Sequence, residues 1–315
     1  MSEKLAKLAL GTWSWGSGTV GGDQVFGNHL EKEDLQPVFE AALQVGLNLW
    51  DTATVYGMGA SEEILGSLMR QRKRDEVVVS TKFTPQIAGM YEDSMAKMAE
   101  ASCQRLGIEV IDIYWIHNPL DVERWTPELI PLLKSGKVRQ VGVSNHNLAQ
   151  LKRANEILGA EGFRVAAVQN HLSLINRFSE QAGILDYCRE NKIEFFAYMV
   201  LEQGALSGKY DVEHPFPADS DRGKMYNPLL PQLAKLTAAL QEVGAAHHLS
   251  VAQTAIAWAI AKGTLPIIGV TKVHHVADAA AAAKASLSEA EVRHLEAVAD
   301  SAELSMARDW EKMMY

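Results

Sequence analysis

The chain has 315 residues, 47% of them hydrophobic and 22% charged, which is ordinary globular composition and far from disordered or fibrous extremes. With 30 Lys and Arg against 39 Asp and Glu the formal charge is −9, and no basic run of useful length occurs, which argues against nucleic acid as a partner. No apolar run approaches the ~20 residues needed to span a bilayer, and Met1-Ser2-Glu3-Lys4 carries no signal-peptide core, so the expectation is a cytoplasmic protein with no membrane partner.

Length alone allows one large barrel or two ordinary domains. From residue 4 onward, short runs rich in Val, Ile and Leu alternate with longer segments of helical periodicity. Strands are expected over 7–12, 47–51, 77–82, 111–117, 138–144, 165–170, 194–198 and 266–269, with helices such as 32–45, 61–69, 93–105 and 147–158 between them. Ser61, followed by Glu62 and Glu63, reads as a helix cap. Val77-Val78-Val79 and Ile111-Asp112-Ile113-Tyr114-Trp115-Ile116 are apolar at nearly every position, as strands covered on both faces are. Eight βα units favour a closed α/β architecture, a single (β/α)8 TIM barrel domain over residues 1–315, rather than an open sheet. Cys103 and Cys188 fall in helical segments without CxxC or Cys/His spacing and read as free thiols. The stretch 203–228 is a long connection containing Pro215, Pro217 and Pro228 with Lys209, Arg222 and Lys224, and such loops are usually functional or mobile. Residues 277–285 are Ala-rich and helix-forming.

Parallel barrels gather their chemistry at the carboxyl ends of the strands. There stand Asp51 after the second strand, Lys82 after the third and His117 after the fourth, with Tyr56 in the loop following Asp51. Singly, each has a plain reading as a cap, a packing residue or a satisfied core group. Together they fit carbonyl reduction. Tyr56 would deliver the proton, and Lys82 would favour the phenolate and so make the hydroxyl a more willing donor. Asp51 would balance the buried ammonium. A neutral His117 would donate a hydrogen bond to the substrate oxygen.

The stretches Asp51-Thr52-Ala53-Thr54-Val55-Tyr56-Gly57, Ser80-Thr81-Lys82 and Tyr114-Trp115-Ile116-His117-Asn118-Pro119 resemble the aldo-keto reductase superfamily, as do Val141-Gly142-Val143-Ser144-Asn145 and Gly204-Ala205-Leu206-Ser207-Gly208-Lys209-Tyr210. The branch it most resembles includes bacterial stress-related reductases and potassium channel beta subunits. The resemblance implies NAD(P)H-dependent reduction of small aldehydes and ketones. It places Ser144, Asn145 and Gln169 on the nicotinamide carboxamide and Tyr198 against its ring. Leu201, Gly204, Leu206 and Lys209 would wrap the pyrophosphate, and Arg222 would lie over the adenine. Gly11, Thr12 and Trp13 after the first strand and Gly269, Thr271, Lys272, His275 and Asp278 after the eighth complete the implied cofactor set, with Asp51 shared. Two departures stand out: His275 and Ala279 occupy positions where many relatives carry Arg and Asn, and Met199-Val200 stands where Ser-Pro is common. Thr271 and Lys272, opening a helix, are expected to take over the 2′-phosphate, making NADPH the expected cofactor with NADH as the alternative.

Gly16-Ser17-Gly18-Thr19-Val20-Gly21 matches GxGxxG, but 22–28 reads as continued loop, so no dinucleotide fingerprint is expected there. His247-His248 and His274-His275 read as helical neighbours pointing apart without a third ligand, so no metal is expected. Trp13 and Trp15 are candidates for the border of the carbonyl pocket, whose shape would depend on loops 16–28 and 121–126 and on the tail to Tyr315. The rival readings are a cofactor-binding, redox-sensing regulatory subunit with little turnover, and a barrel enzyme of different chemistry. The sequence carries no sign of oligomeric state.

Overall fold

The computed structural model describes residues 6–90, 94–304, 306 and 314. Eight short parallel strands pair in chain order and close on themselves: β1 (Ala9–Gly11), β2 (Leu49–Asp51), β3 (Val78–Phe83), β4 (Ile111–Ile116), β5 (Val138–Ser144), β6 (Ala167–His171), β7 (Glu194–Tyr198) and β8 (Leu265–Gly269). Gly11 pairs with both Asp51 and Gly269, which seals the barrel between its first and last strands. Helices cross over between successive strands, so the fold is the expected (β/α)8 barrel. No helix among the described residues is long and apolar enough to cross a membrane.

Strand periodicity sorts side chains into two environments. Ala9, Leu49, Ile113, Trp115, Ala167, Phe196 and Leu265 pack together inside the barrel, while their chain neighbours, such as Leu10, Trp50, Tyr114 and Val168, join the larger core beneath the helices. Gly142 is the small member that admits a large one: a Cβ there would lie 2.3 Å from the Trp115 ring. Trp15, Trp50 and Trp115 are all fully buried. Cys103 and Cys188 are buried free thiols on Ser94–Leu106 and Ile184–Asn191.

Several expectations are corrected. Most strand ends move by one or two residues, because a buried apolar run extends past the ladder; Leu8, for example, is fully buried yet precedes β1. Ser61 is not a cap. The helix Ala60–Met69 is preceded by Gly59 in the left-handed region (φ 105°), and the Ser61 hydroxyl instead donates to the Thr12 carbonyl at 2.8 Å, tying the helix to the end of β1. The stretch expected to continue as loop forms a short helix, Gly22–Phe26. Tertiary bonds hold it, with Gly22 N donating to Gly16 O and Gly18 N to Asp23 Oδ1, and Gly27 ends it at φ 69°. His247 closes the helix Leu230–Ala246 and His248 is left-handed, so that pair is not helical. His274 and His275 do lie on the helix Val273–Lys284, yet their rings meet edge to face at 4.5 Å rather than pointing apart. In the helix's first turn no preceding turn blocks the side chains, and Thr271 N–H holds His275 Nδ1. The long connection contains a helix, Asp221–Tyr226. Residue 93, the expected start of the fourth-strand helix, lies outside the described residues, as do Met1–Lys4 and Tyr315, the expected ends of chain and tail.

Candidate active site

Asp51, Lys82 and Gln169 all point inward at the carboxyl rim, because each falls in step with an interior residue of its own strand: Leu49, Ser80 and Ala167. Lys82 is fully buried and spends its three donors on Asp51 Oδ2 (2.5 Å), Thr52 O (2.8 Å) and Tyr56 Oη (3.3 Å). Asp51 Oδ1 accepts from Ser80 Oγ at 2.6 Å and Gln169 Nε2 at 3.1 Å. Ser80 in turn accepts from Trp115 Nε1 at 2.5 Å. A buried ion pair is retained only when its remaining lone pairs and protons are satisfied, and this network does so.

Tyr56 enters over the pair from the β2 loop. Its ring stacks on Trp13 (5.9 Å, 25°) and meets His117 edge-on at 6.0 Å. Lys82 lowers the pKa of the phenol, as expected, but does not decide its net shift. Burial raises the Tyr56 pKa and outweighs the lowering by Lys82, and the nearby Asp51 charge raises it too, so the hydroxyl stays protonated. Lys82 is itself held above its ordinary value: burial works against its charge, but Asp51 and Tyr56 together prevail. His117 is pushed down to about 3, first by burial and then by the Lys82 charge, so its imidazole is neutral. Thr84 Oγ1 lies 3.0 Å from His117 Nδ1.

The other expected residues fall into two groups. Beside the pair, the Ser144 hydroxyl donates to Gln169 O (2.8 Å), and Asn145, left-handed at φ 60°, donates from Nδ2 to His117 O (3.0 Å) and accepts from Tyr198 Oη (2.6 Å). Gly11 and Thr12 sit at the β1 rim, where Thr12 N donates to Asp51 O. Met199, in the position of the unusual Met-Val pair, takes φ 61° immediately after Tyr198. Farther out, Leu206 is buried, Leu201 and Gly204 are half-buried and Lys209 is exposed along the β7 loop. Arg222 reaches back to Gln203 O (3.4 Å) and across to Phe26 O (3.5 Å), between the Phe26 and Phe216 rings. After β8, Thr271 and His275 are bonded through N–H and Nδ1, and Lys272 caps the helix. The His275 pKa is lowered by burial and next by His274; the Lys272 and Lys209 charges lower it further and Asp278 opposes them. Asp278 accepts from Gln253 Nε2 at 2.7 Å.

Sequence reasoning passed over roles for Ser80 and Thr84, although Ser80 stands two residues before Lys82 on β3 and Thr84 two residues after it, just past the strand's end, a period-two signal that points to them. It also passed over Glu202, His171 and Ser173, a buried polar group beneath Tyr198. Among the described residues no three His, Cys, Asp or Glu side chains form a metal-binding group.

Fold and site together define a (β/α)8 barrel whose carboxyl rim carries a buried ammonium–carboxylate pair bonded to a phenol. The model of the Aldo/keto reductase family matches residues 7–300, and the chain belongs to that family. It is 32% identical over 320 residues to a chloroplastic pyridoxal reductase of Arabidopsis thaliana, covering 97% of this chain and 86% of the relative. An aldo-keto reductase of Schizosaccharomyces pombe, named for NADP(+), is 30% identical over 312 residues, covering 93% and 90%. Among solved structures, the glycerol dehydrogenase of Gluconobacter oxydans superposes with a TM-score of 0.80 at 26% identity, covering 98% of this chain and 96% of that one. An aldo-keto reductase of Klebsiella pneumoniae, in complex with NADPH, does so at 0.73 and 24%, covering 96% and 93%.

Proposed function

We propose that the protein reduces small aldehydes and ketones to alcohols with NADPH, Tyr56 donating the proton. The observation that carries this reading is the bond from the fully buried Lys82 to both Asp51 and the Tyr56 hydroxyl, beside a neutral His117. A phenol that stays protonated but touches an ammonium is an acid held in reserve: as charge grows on a carbonyl oxygen, the proton moves out and Lys82 stabilises the phenolate left behind. Were the Thr84 hydroxyl to donate to Nδ1, from which it lies 3.0 Å, His117 would keep its hydrogen on Nε2 and orient the carbonyl through it.

The residues fit a nicotinamide dinucleotide on observations of this structure. Lys272, His274 and His275 stand after β8, where the helix Val273–Lys284 opens, and the Lys209 charge acts on His275 from the β7 loop, a setting suited to phosphate. The Arg222 guanidinium spans the β1 and β7 loops, and its buried Nε has no partner among the described residues. Asn145 and Gln169 offer amides beside Asp51, and Tyr198 offers a ring face. When bound, the reduced nicotinamide supplies the hydride. Binding of NADP or NADPH is reported in the names of the Schizosaccharomyces and Klebsiella relatives, and the Arabidopsis relative is named for an aldehyde, which agrees with a small carbonyl substrate.

Fluorescence titration with NADPH, followed by a carbonyl panel read through nicotinamide absorbance, tests the proposal. Tyr56→Phe is expected to keep cofactor binding and to lose roughly a hundredfold or more in turnover, the usual scale of general-acid catalysis. Unaltered turnover refutes the assignment of the proton.

A further inference from the structure

Behind Tyr198 lies a polar knot that the proposed chemistry does not use. Glu202, the fourth residue after β7, is fully buried and adopts φ 46°. Its Oε1 accepts from His171 Nε2 (2.6 Å) and Ser173 Oγ (2.5 Å), and its Oε2 accepts from Tyr226 Oη (2.8 Å). A carboxylate fully withdrawn from water is costly unless such donors surround it. His171 ends β6 and stacks its ring parallel to Tyr198, 5.5 Å between centroids and 25° between planes. The orientation of the imidazole is set from the far side. Asn176 Oδ1 accepts from Phe178 N and its Nδ2 donates to Met306 O, which leaves Nδ2 facing His171 Nδ1 at 3.1 Å. Nδ1 therefore accepts, and Nε2–H is directed at Glu202.

One carboxylate thus ties together four parts of the rim: the ring that supports Tyr198, the β6 loop through Ser173, the start of the β7 loop through its own backbone, and the helix Asp221–Tyr226 that carries Arg222 one turn before Tyr226. Leu201 and Gly204 flank Glu202, and the backbone bonds Glu202 N to Met199 O and Ala205 N to Glu202 O close tight turns around it.

We infer that Glu202 is a positioning residue for the nicotinamide cofactor, holding the Tyr198 ring face, the β7 loop and Arg222 in their binding arrangement before the cofactor arrives. The inference rests on the cofactor reading above and adds a residue to it. Preorganisation of this kind appears as affinity, because a loop ordered beforehand is not ordered at the expense of binding. Its effect is expected chiefly on the cofactor, since the bonds of Glu202 run to His171, Ser173 and Tyr226, and the path from there to His117 is indirect, through Tyr198 Oη, Asn145 and the His117 carbonyl.

The test uses the full chain and NADPH, with tryptophan fluorescence giving Kd and 4-nitrobenzaldehyde as the carbonyl probe. Glu202→Ala is expected to raise the NADPH Kd at least about tenfold while the KM for the aldehyde moves less than about twofold, and Glu202→Gln, which keeps an acceptor for His171, is expected to recover most of that loss. Should Glu202→Ala not fold, His171→Phe preserves a ring under Tyr198 but removes its tie to Glu202, and the same split between Kd and KM is expected. A variant that is folded, less heat-stable and unchanged in NADPH Kd overturns the inference, as does a parallel rise in Kd and aldehyde KM. No NADPH binding by the wild type overturns both this inference and the cofactor reading, whereas wild-type binding with an unmoved variant Kd overturns this inference alone.

Discussion

Replacing Asp51 with Asn removes one charge and nearly nothing else, which makes it the sharpest probe of the central pair. Asp51 is 3% exposed and Lys82 0%, and their charged atoms are 2.5 Å apart. After the change, Lys82 faces only uncharged acceptors, the new amide at position 51, the Thr52 carbonyl and the Tyr56 hydroxyl, while burial, the largest influence on it, still opposes its charge. Breaking a buried pair from one side typically costs about 3–5 kcal/mol, whereas exchanging both partners for apolar side chains is often neutral or stabilising. Asp51→Asn is therefore expected to lose about 3–5 kcal/mol, and the double variant Asp51→Asn, Lys82→Met to regain most of it. Without the carboxylate the Lys82 pKa should fall, and the neutral amine would accept from the Tyr56 hydroxyl and turn the proton away from the substrate. The double variant lacks the ammonium altogether, so turnover should fall by roughly a hundredfold or more in both variants. Urea unfolding at constant slope supplies the free energies and nicotinamide absorbance the rates. A single variant within about 1 kcal/mol of the wild type, with a double variant no more stable, would refute the reasoning that the carboxylate holds the charge of Lys82.

Three further expectations follow from individual groups. Lys272→Ala should weaken NADPH much more than NADH in parallel titrations, and equal effects would remove Lys272 from the 2′-phosphate. His146 is fully buried and pushed down to about 4, mainly by burial, with Nε2 unpartnered among the described residues. Its folded pKa lies below the unfolded value of 6.5, so below that pH only the unfolded chain takes up the proton: stability is complete above pH 6.5 and should fall by about 1.4 kcal/mol per pH unit as pH drops toward 4, with His117 adding a slope of the same sign. Urea midpoints at successive pH values check this, and a His146→Gln variant with an unchanged slope would exclude His146 as a source. Gly142→Ala would bring a Cβ to 2.3 Å from the Trp115 ring and 2.8 Å from Ala167 O, costing about 1–3 kcal/mol by overpacking, and because Trp115 bonds Ser80, which bonds Asp51, turnover should drop too. Wild-type activity in a destabilised Gly142→Ala would sever that link.

The order and number of strands were legible because each is a short, nearly uninterrupted apolar run, and such runs arise only where both faces of a strand are covered. Asp51, Lys82 and His117 were legible as polar interruptions at the ends of those runs. Three features were not, for distinct reasons. The direction of the Tyr56 shift is a sum of opposed influences, and only coordinates reveal that burial exceeds the pull of an ammonium already committed to Asp51. The helix Gly22–Phe26 has a loop's composition and is secured by bonds to Gly16 and Gly18 that no local pattern encodes. Ser61 has the residue type and following acids of a cap, but its hydroxyl is captured by Thr12, 49 positions earlier.

The division of the site along the chain also has a physical basis. Asp51, Tyr56, Ser80 and Lys82 belong to one βαβ unit, and the register Asp51 opposite Ser80 sets the carboxylate beside the residue two before Lys82. The charge balance and the proposed proton source are thus complete within about thirty residues, which suits a buried charge, because a pair divided among distant segments would stand unbalanced whenever either segment opened. Apart from Gly11, Thr12, Trp13 and the shared Asp51, the residues assigned to the cofactor come instead from strands five to eight and their loops. Gln169 joins the halves: its amide bonds Asp51, which bonds Lys82, which bonds the Tyr56 hydroxyl. On the proposed cofactor reading, a nicotinamide bound at the Gln169 amide would thus be coupled to the Tyr56 hydroxyl through Asp51 and Lys82.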